Sequence, residues 1–187
     1  MNLYIFDCFG VLMPDTATEW FFKRYGALEG AALKKRYFDS ADRDGTTIDS
    51  LVARLERDLQ VPASVIWQEW SELTVINNEL LQTIRSLKDG HRTALLSNAP
   101  SGIEERIFKK FGLSDFFDVT VVSGDVRIAK PDPAIYKLCT QAFCERFDGI
   151  YMIDDNPVNL QAAQNLGMIP HLYRNNSELI LFLRGTI

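Results

Sequence analysis

Four apolar residues near the start of the chain, Leu3-Tyr4-Ile5-Phe6, run without a break into a carboxylate, Asp7. A short uninterrupted apolar run rich in β-formers suits a strand covered on both faces, as in a parallel sheet. In an open α/β sheet, chemistry gathers at the carboxyl ends of the strands. Asp7 therefore stands where a working carboxylate would stand. Gly10, just beyond, allows the backbone to turn sharply and approach a ligand. Taken alone, Asp7 reads as an ordinary turn or helix N-cap residue. Three later segments change that reading.

After Leu12 the pattern changes. From Pro14 to about Leu81 the chain carries helix signals and no good strand. Thr16 or Thr18 is placed to cap a helix carrying Trp20, Phe21 and Tyr25, with Gly26 as its stop. A second helix is expected over 29–38, where Leu33 and Tyr37 lie four apart. A turn at Asp44-Gly45-Thr46-Thr47 leads into a third, with Leu51, Leu55 and Leu59 on one face. Pro62 opens a fourth, with Ile66, Trp67 and Trp70 as its stripe.

Helices and strands then alternate. Strands are expected over 93–96, 119–122, 150–153 and 169–173. Asn77 caps the helix before the first of these. Ser101 with Glu104 forms a capping box for a helix running to Phe111. Helices over 133–143 and 157–166 follow, and Ser177 caps the last one. This alternation predicts an α/β fold, a doubly wound (Rossmann-like) parallel sheet with helices on both faces. The four-helix block does not fit the rhythm. It is expected to sit as a small inserted cap over the carboxyl ends of the strands, beside Asp7. The expected division is a core of residues 1–13 and 82–187 and a cap of residues 14–81.

Composition narrows the function classes. A chain of 187 residues with a 47% hydrophobic fraction holds one core of ordinary size. A net charge of −5 without a basic stripe argues against nucleic acid as a partner. No apolar run approaches the ~20 residues of a membrane span, and no signal peptide is expected. The three cysteines, Cys8, Cys139 and Cys144, predict reduced thiols in a cytoplasmic protein, without a disulfide framework or zinc site.

Four polar motifs follow strands or sit in the loops after them: Asp7, Ser97-Asn98, Lys130, and Asp154-Asp155 with Asn159. The topology brings all four to one edge of the sheet. Each alone has an ordinary explanation as a turn, a solvated lysine or a helix cap. Together they place three carboxylates in one cleft with one compensating cation. Like charges held close raise each other's pKa unless something neutralises them. A hard divalent cation such as Mg²⁺ does so, taking one or two carboxylates together with a substrate phosphate. A carboxylate nucleophile attacking phosphorus gives an aspartyl-phosphate.

With these residues in view, the chain resembles the haloacid dehalogenase (HAD) superfamily over nearly its whole length. Phe6-Asp7-Cys8-Phe9-Gly10-Val11-Leu12 resembles its first motif and Leu95-Leu96-Ser97-Asn98 its second. Ala129-Lys130-Pro131-Asp132-Pro133-Ala134-Ile135-Tyr136 resembles the third. The run from Met152 to Ala163, with Asp154-Asp155 and Asn159, resembles the fourth. The helical insert matches the family's helical (C1) cap. The resemblance implies Asp7 as nucleophile and Mg²⁺ ligand, together with the backbone carbonyl of Phe9. It implies Ser97 and the Asn98 amide as phosphoryl ligands, and Lys130 as the neutralising cation. It implies Asp155 as the main metal ligand of the fourth motif, with Asp154 and Asn159 beside it. The substrate class it implies is a small phosphorylated metabolite.

One position departs from the pattern. Phosphatases of the family usually carry a second Asp two residues after the nucleophile, to protonate the leaving group; here that residue is Phe9. General acid–base help is typically worth ~10²–10⁴ in rate. Three readings follow. The first is a phosphatase acting on a good leaving group, such as a sugar-1-phosphate or acyl phosphate, or one borrowing a proton donor such as Asp15. Some family sugar-1-phosphate phosphatases look similar at this position. The second is a 2-haloacid dehalogenase, whose relatives carry an aromatic residue there; the double Asp and the lack of an arginine near Met13-Pro14-Asp15 argue against it. The third is a catalytically impaired phosphate-binding protein.

The remaining candidates read mainly as structure. Cys8 is expected behind the site, Cys139 and Cys144 in the core of one helix, and His91 and His171 in structural roles. Trp67 and Trp70 read as cap core. Trp20, Phe21 and Phe22, and the run Arg36-Tyr37-Phe38-Asp39, are candidates to reach the substrate pocket from the cap.

Overall fold

Strand β1 (Leu3–Phe6) is the middle of the sheet, and all four of its side chains are fully buried. The computed structural model describes residues 1–186. Among them, β1 is followed by β2 (Arg92–Ser97), β3 (Val119–Val122), β4 (Ile150–Asp154) and β5 (Ile169–Leu172). They form one parallel sheet in the order 3-2-1-4-5. A strand buried on both faces has no polar side to show, which is why β1 reads as a continuous apolar run. The register sets Phe6 level with Ile153, so Asp7 and Asp154 leave neighbouring strands side by side. The order reverses direction at β1, the switch point where an open sheet opens a crevice.

The two faces of β1 feed two cores. Leu3 and Ile5 pack with Ile135, Tyr136, Cys139, Leu160 and Ala163. These come from α7 (Pro133–Gln141) and α8 (Pro157–Gln164). Tyr4 and Phe6 face the other way, toward α5 (Asn78–Leu87) and α9 (Asn176–Arg184), whose Leu80, Ile84, Leu179 and Leu183 are buried in the same cluster. That second core continues into the insert: α1 (Thr16–Tyr25), α2 (Ala27–Asp44), α3 (Ile48–Leu59) and α4 (Ala63–Leu73). Trp20, Phe21, Tyr37, Leu51, Leu55 and Ile66 join it without a break. The insert and the sheet therefore share apolar packing. None of the described helices is long and apolar enough to cross a membrane.

Most element boundaries follow the sequence, and the exceptions have local causes. Asp15, rather than Thr16 or Thr18, caps α1, accepting from Thr18 N at 3.0 Å. An ionised carboxylate is a better acceptor for an orphan N–H than the threonine that follows it. The capping box at Ser101 and Glu104 does not form. Ser101 Oγ instead donates to Asp125 Oδ1 at 2.6 Å, and Glu104–Phe108 winds as a π-helical segment. Asn175, not Ser177, caps α9, accepting from Glu178 N. Chain length and composition did not reveal the one-turn α6 (Ser123–Val126). Helix α7 stops at Gln141, so Cys144 lies beyond it and is exposed, while Cys139 is buried as expected.

Replacing Ile5 by alanine removes a fully buried side chain from the central strand. The expected cost is about 2–5 kcal/mol of unfolding free energy. It should be read as a lowered denaturant midpoint with an unchanged slope. A loss well under about 1 kcal/mol would contradict the packing described for this face.

Candidate active site

The register of β1, β2 and β4 delivers the polar residues to one place. Lys130, in the loop between α6 and α7, is only 2% exposed. Its Nζ lies 2.7 Å from Asp7 Oδ1 and donates to Asp154 Oδ2 at 2.8 Å. Asp154 is fully buried and saturated. Its Oδ1 accepts from Asn156 N at 2.8 Å, and the Asn159 amide reaches both of its oxygens, at 3.2 and 3.1 Å. The Asn98 side chain grips the Lys130 backbone from both sides, accepting from its N–H at 2.8 Å and donating to its carbonyl at 2.9 Å. Asn98 thus positions the lysine. Asn159 is held in turn by Tyr136, whose hydroxyl donates to its carbonyl at 2.9 Å.

Charge is what this arrangement leaves unbalanced. Burial pushes the Asp7 carboxyl up to about 7, with Lys130 pulling it down and Asp154 pushing it further up. Burial opposes the Lys130 ammonium, but Asp7 and Asp154 outweigh it and hold its pKa above the ordinary lysine range. Asp155 is also raised, first by burial and then by Asp154. Lys130 pairs with Asp7 and Asp154, which leaves Asp155 without an ion pair among the described residues. Carboxylate oxygens of Asp7, Asp154 and Asp155 lie within 4.8 Å of one another. Such a set suits a hard cation that prefers oxygen ligands.

The backbone makes room for it. Gly10 has φ of +85°, and a Cβ there would sit 2.1 Å from Asp155 Oδ2. Any other residue would push this carboxylate away. Among the described residues no N–H donates to the Phe9 carbonyl, whereas the Cys8 carbonyl accepts from Val11, Leu12 and Met13. Cys8 is fully buried, and its N–H donates to Asp7 Oδ1 at 2.7 Å. Burial and the Asp7 charge push its thiol up, which leaves it a poor nucleophile. Ser97, at the end of β2, is fully buried with its Oγ unpartnered.

A cavity of about 690 Å³ opens above this centre. Its floor includes Asp7, Phe9, Asn98, Lys130 and Asp155, and its roof comes from the insert. Of the aromatic candidates, Trp20 and Phe21 are buried inside the insert, Trp20 Nε1 donating to Glu69 Oε2 at 2.6 Å. Phe22 is exposed, and none of the three lines the cavity. Of the run Arg36 to Asp39, Phe38 and Asp39 line it, whereas Tyr37 stacks on Phe21. Trp70 lines it as well as packing in the insert, a role sequence reading did not give it. Sequence reading also missed Lys34, Asp42 and Arg43. Lys34, Phe38 and Asp42 are spaced four apart, one face of a helix, and that was the available signal.

Asp15 reaches the cavity but is poorly suited to give up a proton. Its Oδ1 accepts from Thr18 N, and its Oδ2 accepts from Thr18 Oγ1 at 2.7 Å and Lys34 Nζ at 2.8 Å. Burial opposes ionisation, but Lys34 and these hydrogen bonds outweigh it and hold the carboxyl below its ordinary value. The histidines lie elsewhere. His91 Nδ1 accepts from Asn2 N at 3.1 Å, and His171 stacks on Phe182 at 4.3 Å.

The chain is similar to several known proteins. A phosphorylated carbohydrates phosphatase from Thermotoga maritima is 26% identical over 179 residues, covering 90% of this chain and 82% of the relative. A HAD family enzyme from Bacteroides thetaiotaomicron, solved in complex with magnesium and inorganic phosphate, superposes with a TM-score of 0.75. It is 21% identical, covering 93% of this chain and 94% of its own. An L-2-haloacid dehalogenase from Xanthobacter autotrophicus, with chloropropionic acid covalently bound, gives 0.68 at 17% identity, over 94% of this chain and 79% of its own. The model of one family, haloacid dehalogenase-like hydrolase, matches residues 1–167, and the chain belongs to that family.

Proposed function

We propose that this hydrolase is a Mg²⁺-dependent phosphatase that cleaves a small phosphomonoester through an aspartyl-phosphate at Asp7. The observation that carries the reading is the charge imbalance at and beneath the cavity floor, three clustered carboxylates, Asp154 fully buried, against one buried ammonium. The residues fit a cation: Asp7, Asp155 and the Phe9 carbonyl would hold it, and Asp154 and Asn159 would support them. When bound, the cation would neutralise charge on the phosphoryl group and its carboxylate neighbours. The phosphorylated carbohydrates phosphatase among the relatives and the magnesium and phosphate complex of the structural neighbour support the same reading.

The chain's own residues then have defined work. Asp7 Oδ1 is held by Lys130 and the Cys8 N–H, which leaves Oδ2 to attack phosphorus. The bond from phosphorus to the leaving oxygen breaks as the new one forms. The unpartnered Ser97 hydroxyl lacks a partner that a phosphoryl oxygen would supply, and the Lys130 ammonium would offset phosphoryl charge. Water then cleaves the acyl phosphate and frees Asp7. Phe9 supplies no proton, so substrates whose leaving group needs little help are favoured. Helices α1–α4 act as the cap that closes the cavity over the substrate. A small phosphorylated metabolite, and no nucleic acid, is the partner this pocket suits.

A second reading rests on one observation, an aromatic residue, Phe9, lining the cavity two positions after Asp7. It makes the protein a 2-haloacid dehalogenase that needs no metal. The paired Asp154-Asp155 weighs against it.

Phosphate release from sugar phosphates, nucleotides and an acyl phosphate, with Mg²⁺ and with EDTA, tests the proposal. Release should need the metal, favour good leaving groups, and vanish in Asp7→Asn. Metal-independent halide release from 2-chloropropionate, without phosphate release, would replace the first reading with the second. Gly10→Ala should shift the Mg²⁺ titration of activity to higher concentration, because the added methyl displaces Asp155. An unshifted titration would contradict the role given to Asp155.

A further inference from the structure

Strands β2 and β3 pair as far as Ser97 and Val122 and then part. The chain after β2 runs on into the site through Asn98 and Ala99, whereas β3 turns at once into α6. Ala99 is buried, so its N–H and carbonyl need partners that the sheet no longer gives them. One side chain serves both. The fully buried Ser123 hydroxyl accepts from Ala99 N at 2.9 Å and donates to Ala99 O at 3.2 Å. A hydroxyl carries one proton and two lone pairs, so it can hold the two groups together. Gly124 N donates to the same carbonyl at 2.9 Å. The approach is close: a Cβ on Gly124 would sit 2.3 Å from Ser101 N and 2.7 Å from Ala99 O.

Fixing Ala99 fixes the residue before it. Asn98 lines the cavity, and among the described residues no acceptor pairs with its N–H. Its side chain grips the Lys130 backbone at 2.8 and 2.9 Å, and the Lys130 ammonium lies between Asp7 and Asp154. A chain of short contacts thus runs from Ser123 through Ala99 and Asn98 to the buried lysine. The far end of the same loop is held by other means. Ser101 Oγ and Gly102 N donate to Asp125 Oδ1, and the Ser101 backbone pairs with Thr46 and Ile48 of the insert. Those contacts begin two residues beyond Ala99, on the side away from Asn98.

We propose that Ser123 is a positioning residue of the phosphoryl site, acting through Ala99 on the Asn98 N–H and on Lys130. Ser123 does not line the cavity, so it touches neither substrate nor cation. Its role rests on the phosphatase reading for the identity of the ligand. It lies outside all four polar motifs, at the point where β3 gives way to α6. Preorganised donors cost no rearrangement when the charged group arrives, and a loosened loop would lose that advantage.

The test is the binding of inorganic phosphate to the full chain with Mg²⁺ present, followed by calorimetry. Ser123→Ala should weaken phosphate binding by about five- to tenfold, the worth of one hydrogen bond. Ser123→Cys keeps the bulk with a much weaker hydrogen-bonding group, and should fall between; it also serves if the alanine variant does not fold. Leu183→Ala is the structural control, since Leu183 is fully buried on α9 and does not line the cavity. It should lower stability at least as much as Ser123→Ala and leave phosphate affinity unchanged. Hydrogen exchange at the Ala99 amide should speed up in Ser123→Ala while the amides of β1 stay slow. Wild-type affinity in both Ser123 variants overturns the inference, and so does an equal loss in Leu183→Ala. Failure of the wild-type chain to bind phosphate overturns the phosphoryl site itself, and this role with it.

Discussion

The buried ammonium of Lys130 ties together everything around it. It joins Asp7, at the end of the central strand, to Asp154, at the end of its neighbour, and is itself almost sealed from water. Removing one member of such a buried ion set leaves an uncompensated charge, at a cost of about 3–5 kcal/mol. The structure accordingly surrounds it with supports that serve little else. Asn98 clamps its backbone, Asn159 and the Asn156 N–H hold Asp154, and Tyr136 holds Asn159. One lysine cannot balance three carboxylates, and the proposed chemistry rests on that residual negative charge.

The same economy governs the backbone. Parallel pairing sets Phe6 and Ile153 level, so two acidic side chains emerge together. Gly10 then keeps a Cβ out of the space that Asp155 occupies. The insert is not hinged on a dry gap but shares an apolar core with one face of the sheet, through Tyr4 and Phe6 on one side and Trp20, Phe21 and Tyr37 on the other.

Much of this was legible in the chain. The uninterrupted Leu3–Phe6 run, the alternation after residue 77 and the four polar motifs all depend on local pattern; the sheet order agrees with the first two, and the register brings Asp7, Lys130, Asp154 and Asp155 together, whereas Ser97 does not line the cavity. What was not legible depends on tertiary choices. Asp15 was a candidate proton donor by position, but Lys34 arrives from another helix and occupies it. Trp20 looked like a pocket residue because it follows the nucleophile closely, yet α1 turns it inward to meet Glu69.

The central claim is that Asp7 becomes phosphorylated, and mass spectrometry tests it most directly. The protein would be quenched in acid during turnover of a phosphomonoester with Mg²⁺, then digested and its N-terminal peptide sequenced. The account predicts one phosphoryl group on Asp7, removed by base and absent in Asp7→Asn. Sustained phosphate release with an unmodified Asp7 peptide, or the phosphoryl group on another residue, would contradict it.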